Sequence, residues 1–196
     1  MQKLIIHIHG FLSANNSERV QLLQNHIHHH QLPIELISPK LPNNPEAAIQ
    51  LLSDLIEKAL KQEKEVALIG HSMGGYFATW LATQFDLRAV LINPVVRGYE
   101  IMCEFFGECY NPHTDEYFSI GEEDIAFLTT IHLENINKPE RFLMLQQLGD
   151  EITEPDDAIK YYQECQSIIE PDGCHDFDHF ERHIETAIDF LFNSFD

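Results

Sequence analysis

The chain has 196 residues, 44% of them hydrophobic and 22% charged, so it is long enough to bury a core and is expected to form one domain over 1–196. Its 32 acidic residues against 12 basic ones give a formal net charge of −20, which excludes the positive footprint needed for nucleic acid or an anionic membrane surface. No stretch approaches the roughly 18 consecutive apolar residues of a membrane span.

The N-terminal segment MQKLIIHIHGFLSANN has only a short apolar run and no small-residue cleavage site, so a cytoplasmic location is expected. Within it, KLIIHI (3–8) reads as a strand. SERVQLLQNHIHHH (17–30) places Val20, Leu23 and Ile27 at helical spacing, and IELIS (34–38) is again a strand. Turn residues then lead into a helix over LPNNPEAAIQLLSDLIEKALKQ, with Ala48, Leu51, Leu52, Leu55, Ile56 and Leu60 on one face. VALIG (66–70) is a near-continuous apolar strand, GGYFATWLATQF (74–85) a helix apolar nearly all round, and RAVLINP (88–94) another strand. The rhythm resumes with the strand and exit loop RFLMLQQLGD (141–150), the helix EPDDAIKYYQ (154–163), the strand CQSIIE (165–170) and an amphipathic closing helix over 179–195.

Strands that are apolar on both faces and alternate with helices imply a parallel sheet covered on both sides. The expected architecture is α/β, with a six-stranded sheet in the order 2-1-3-4-5-6. Residues 95–138 are too long for a simple strand-to-helix connection. They hold aromatics and acids and then the helical piece EEDIAFLTTIHLE, and are expected to form a helical cap over the C-terminal edge of the sheet.

Gly70-His71-Ser72-Met73-Gly74 fits G-x-S-x-G between a strand and a helix, the context of a nucleophile elbow. Chance alone yields roughly 0.07 such matches in a chain of this length, with Gly and Ser each near 7%. A serine hydroxyl needs a base, an orienting acid and an oxyanion hole. The expected order is serine, acid, histidine, each following a strand. After RFLMLQQL stands Asp150, with Glu151 second and Asp124 in the insertion third. After the last strand stands His175, with His179 and His183 as competitors on the closing helix. The oxyanion donors are expected to be the N–H groups of Met73 and Phe11. His9 supports the Phe11 loop through its ring, and His7 shares its strand face as a structural histidine.

The segments HGF with a Ser/Asn-rich tail, GHSMGGYFA, NP, GDE and HDF, in this order, resemble the α/β-hydrolase superfamily, and most closely the small bacterial YqiA-like esterases. The resemblance covers about residues 3–193 and is strongest at the elbow. It implies hydrolysis of carboxylic esters, and in some members thioesters, without a cofactor, with Ser72 as nucleophile, Asp150 as acid and His175 as base. Residues 95–138 depart from the pattern.

The run HIHHH over His26 and His28–His30 lies near a helix end, where histidines interact favourably with carbonyls, and is not read as a metal site. Cys103, Cys109, Cys165 and Cys174 fit no zinc spacing and are expected to be free thiols; Cys174 beside His175 is not read as the nucleophile. Aromatics over 99–118 pack the cap or wall an acyl site. The expected partner is a small-molecule ester or thioester. The alternatives are an acyl-CoA thioesterase or acyltransferase on the same scaffold, with Lys40, Arg97 and Lys138 near the mouth, and an inactive binding protein.

Overall fold

The computed structural model describes residues 1–193. In chain order these form β1 (Lys3–Ile8), α1 (Glu18–His29), β2 (Ile34–Ile37), α2 (Pro45–Lys61), β3 (Glu65–His71), α3 (Met73–Phe85) and β4 (Arg88–Ile92). An insertion carries α4 (Gly98–Glu104), β5 (Gly107–Asn111), β6 (Glu116–Ile120) and α5 (Glu122–Thr130). Then follow β7 (Phe142–Gln147), α6 (Pro155–Tyr161), β8 (Gln166–Glu170) and α7 (Ile184–Phe192).

The main sheet runs β2-β1-β3-β4-β7-β8 with every neighbour parallel. Counting only its own strands, this is the order expected from sequence. The two-residue alternation of each strand divides the core. Leu4, Ile6 and Ile8 of β1 pack with Leu52 and Ile56 of α2 and Leu81 of α3. Ile5, Ile69, Val90 and Leu145 face Leu23 of α1 and Ile184 and Leu191 of α7. Helix α3 is apolar all round because it is sandwiched: one face lies on the sheet, and Tyr76 on another donates its hydroxyl to the Leu128 carbonyl of α5, 2.7 Å away.

Two expectations need correction. The insertion is only partly helical, because β5 and β6 form an antiparallel hairpin between α4 and α5. Cys109 and Phe118, opposite each other in the register, are partly buried against the core, whereas Tyr110 and Tyr117 are exposed with rings 4.9 Å apart. That two-residue period marks a strand pair that the aromatic composition disguised. The closing segment also starts late. His179 is left-handed at φ 59°, a 3₁₀ turn covers Phe180–His183, and only then does α7 begin. His179 and His183 therefore do not share an α-helical face; residues 194–195 of the expected helix lie outside the described residues.

Asp124 is buried at the start of α5. One carboxylate oxygen accepts from the Asn44 amide at 2.6 Å and the other from the Gly121 N–H at 2.9 Å. Asn44 is itself the N-cap of α2, accepting from Ala47 N–H at 2.8 Å. Asp124 thus ties the insertion to α2.

Candidate active site

The turn from β3 into α3 holds Ser72 at φ 56° and ψ −124°, a region that non-glycine residues rarely occupy. Neighbouring bonds over-determine it. Ser72 N–H donates to the Ile92 carbonyl at 3.0 Å, and the Ser72 carbonyl accepts from Gly75 and Val95 N–H at 2.8 and 3.1 Å. The flanking glycines are required by close approach. A Cβ on Gly70 would lie 2.3 Å from the Gly74 carbonyl oxygen, and one on Gly74 would lie 2.0 Å from the Ile8 carbonyl oxygen. Backbone at the end of a central strand cannot yield that space. Gly74→Ala is expected to cost at least about 3 kcal/mol of stability, read as a lowered denaturation midpoint; an unchanged midpoint would show that the elbow can relax.

Three distant residues meet at this turn. His175, in the loop after β8, places Nε2 3.0 Å from Ser72 Oγ. Its Nδ1 lies 2.9 Å from each oxygen of Asp150, in the loop after β7. The Asp150 side chain is fully shielded from solvent, while that of His175 remains 16% exposed. Burial pulls the Asp150 carboxyl up. Hydrogen bonds from His175, the Thr153 hydroxyl and the N–H groups of Thr153 and Ile152 outweigh it and leave the group below the usual carboxylate range. The stability this lowered value contributes is complete above the unfolded pKa of about 3.9 and is lost as pH falls through the folded value.

The competing residues are engaged elsewhere. Glu151 accepts from the backbone N–H of His175 at 3.0 Å, so it holds the main chain of His175 and not its ring. His179 faces Glu181 at 3.3 Å, and His183 faces Glu170 at 3.1 Å. Cys174 donates its thiol to Asp178 at 3.3 Å; burial and that carboxylate push the thiol up, away from thiolate character.

The loop after β1 lies against Ser72: a Cβ on Gly10 would sit 3.1 Å from Ser72 Cβ. His9 braces this loop. Its Nδ1–H donates to the Gly10 carbonyl at 2.9 Å, and Nε2 accepts from Leu41 N–H at 3.3 Å. Burial lowers its pKa, which keeps the ring neutral for this double role. His7 is buried too, with Nδ1 3.2 Å from Ser38 Oγ and its pKa pushed down to about 3, chiefly by burial and then by Arg19. The Phe11 ring packs edge-on against Phe105 and Phe118 of the insertion, with centroids 5.1 and 5.8 Å away. A small cavity of about 30 Å³ opens between Phe11, Leu41, Ala48, Met73, Phe77 and Met102. The only insertion residues on its wall are Met102 and Asn111; the aromatics over 99–118 do not line it.

Sequence reasoning missed the residues that hold the His175 loop. Asn93 is fully buried after β4 and donates to the carbonyls of Cys174 and His175 at 2.9 and 3.0 Å. Gln147 at the end of β7 accepts from the N–H groups of Cys174 and Asp178 at 3.1 and 2.8 Å. A polar pair, Gln146 and Gln147, closing an apolar strand was the available signal. His71, between Gly70 and Ser72, occupies a variable position of the motif and carries no signal of its own there.

A model of the family described as "Uncharacterised protein family (UPF0227)" matches residues 4–192. Among solved structures, Est1E from Butyrivibrio proteoclasticus superposes with a TM-score of 0.76 at 15% identity, over 97% of this chain and 88% of that one. Mouse alpha/beta hydrolase domain-containing protein 10 gives 0.70 at 19% identity, over 97% and 90%. A Pyrococcus furiosus esterase gives 0.68 at 13% identity, over 97% and 81%. The architecture is the α/β-hydrolase fold.

Proposed function

The chain belongs to the uncharacterised protein family UPF0227; from its α/β-hydrolase fold and the geometry at the elbow we propose that it is a serine esterase acting on small carboxylic esters. One observation carries the reading: the unbroken hydrogen-bonded chain from Ser72 Oγ through His175 to the shielded Asp150 carboxylate. His175 Nε2 takes the Ser72 proton as Oγ attacks the ester carbonyl. It returns that proton to the alkoxide as the ester C–O bond breaks, leaving an acyl-enzyme. Water then attacks the acyl carbon, gives its proton to His175 and releases the acid, and Ser72 recovers its proton. Asp150 keeps a proton on Nδ1 and stabilises the imidazolium. The Phe11 and Met73 N–H groups, neither bonded to an acceptor among the described residues, receive the oxyanion.

The cavity beside these two donors sets the acyl length. A volume of about 30 Å³ holds one or two heavy atoms, and its walls are buried side chains such as Met73, Phe77 and Met102. With p-nitrophenyl esters, kcat/KM is expected to be highest for acetate or propionate and to fall by roughly tenfold or more by hexanoate, since overfilling a packed site costs about 1–3 kcal/mol. A fluorophosphonate should label the protein once, on Ser72. No turnover of any ester together with no labelling would overturn the function; equal rates from acetate to octanoate would overturn the acyl assignment alone.

The coenzyme A reading loses its cations. Lys40 faces Glu116, Arg97 faces Glu100 and Asp157, and Lys138 faces Asp86. The intact chain of three side chains disfavours an inactive binding protein.

A further inference from the structure

We infer that Arg19 and His71 act together as positioning residues, Arg19 fixing the tautomer of His71 so that His71 holds the main chain of His175 against the nucleophile. The inference rests on the esterase reading of the same site.

Arg19 lies on α1, 157 residues from its partner Asp176, and is only 6% exposed. Burying a guanidinium is costly unless its donors are met. Here Nη1 donates to the Asp176 carbonyl and, at 3.3 Å, to the Asp176 carboxylate, while the buried Nε has no partner among the described residues. That carboxylate is 87% exposed, so the ion pair contributes little. The informative bond is the other one: Nη2 lies 2.9 Å from His71 Nδ1. A guanidinium nitrogen can only donate, so His71 Nδ1 must present its lone pair. The ring proton is then on Nε2, which donates to the His175 carbonyl at 2.8 Å. The other tautomer would set a lone pair against that oxygen. The imidazolium would aim an N–H at the guanidinium; burial first, and Arg19 second, hold the His71 pKa well below its ordinary range.

The arrangement mirrors the catalytic pair with the signs exchanged. An anion, Asp150, keeps the proton of His175 on Nδ1 so that Nε2 can accept from serine. A cation, Arg19, keeps the proton of His71 on Nε2 so that it can donate to the backbone. His71 directly precedes Ser72, so one residue at the elbow grips the residue that activates the next. Glu151 and Asn93 fix the N–H and the carbonyl of His175 from other elements, but neither joins it to the elbow strand.

The test is a double-substitution cycle on kcat and KM for p-nitrophenyl acetate. Arg19→Met is expected to lower kcat roughly 10- to 100-fold, the scale on which small misplacements of reacting groups act, with KM within about threefold. His71→Gln offers an amide donor to the same carbonyl and has no tautomer to fix, so it should retain more kcat than His71→Leu. In the His71→Gln background, Arg19→Met should cost only about threefold further, because coupled residues are non-additive. Independent multiplication of the two effects, or a folded Arg19→Met with wild-type kcat, would overturn the inference. If Arg19→Met does not fold, the His71 pair decides: equal kcat for Gln and Leu overturns it, and recovery by Gln supports it. Wild-type turnover that vanishes in Ser72→Ala establishes the esterase reading separately, so a failure of one is not mistaken for a failure of the other.

Discussion

Ser72→Ala is expected to lower kcat for p-nitrophenyl acetate by roughly 10⁴- to 10⁶-fold, the range over which removal of an activated serine acts. The substitution deletes one atom, Oγ, whose hydrogen bond is to His175 Nε2. The Cβ remains, so the positive φ and the main-chain bonds to Ile92, Gly75 and Val95 are retained. Stability should therefore change by less than about 1 kcal/mol, as for other substitutions that leave packing and buried polar groups intact. Fluorophosphonate labelling should disappear with activity, as read by mass spectrometry. A variant that keeps its melting temperature and hydrolyses the ester at the wild-type rate would remove Ser72 from the chemistry.

The second large effect is expected at Asp150, the proposed acid. Asp150→Asn is expected to lower kcat by about 10⁴-fold through the wrong imidazole tautomer. The carboxylate now accepts from His175 Nδ1, the N–H groups of Ile152 and Thr153, and the Thr153 hydroxyl. An amide has one acceptor oxygen for these donors. With the backbone N–H groups keeping that oxygen, the NH₂ faces Nδ1, the ring proton moves to Nε2, and His175 can no longer accept from serine. Asp124→Asn is the control. It disturbs the contacts with Asn44 and Gly121 and should cost about 1 kcal/mol of stability while sparing kcat. Activity lost in Asp124→Asn and kept in Asp150→Asn would reassign the acid.

Local pattern made much of this legible. The flanking glycines, the apolar strand before Ser72 and the apolar helix after it identify the elbow without coordinates. The loop positions of Asp150 and His175 follow from chain order once the strands are placed, and Met73 follows from Ser72. Most of what failed were features whose meaning depends on distant partners. Nothing around Arg19 in SERVQLLQ marks it as buried; its burial comes from a loop near residue 176. His71 reads as filler within a motif until its two ring nitrogens acquire opposite neighbours. The hairpin of the insertion was written in the alternation of Cys109, Asn111, Phe118 and Ile120, but turn and aromatic residues masked the period.

The grip of Phe105 and Phe118 on the Phe11 ring bears on how far this protein tolerates redesign. The main chain of Phe11 carries one of the two proposed oxyanion donors, so on that proposal the insertion also buttresses the donor. Transplanting another segment in its place to alter selectivity would loosen that amide unless two aromatic edges were rebuilt around the same ring. Modularity stops at the phenylalanine.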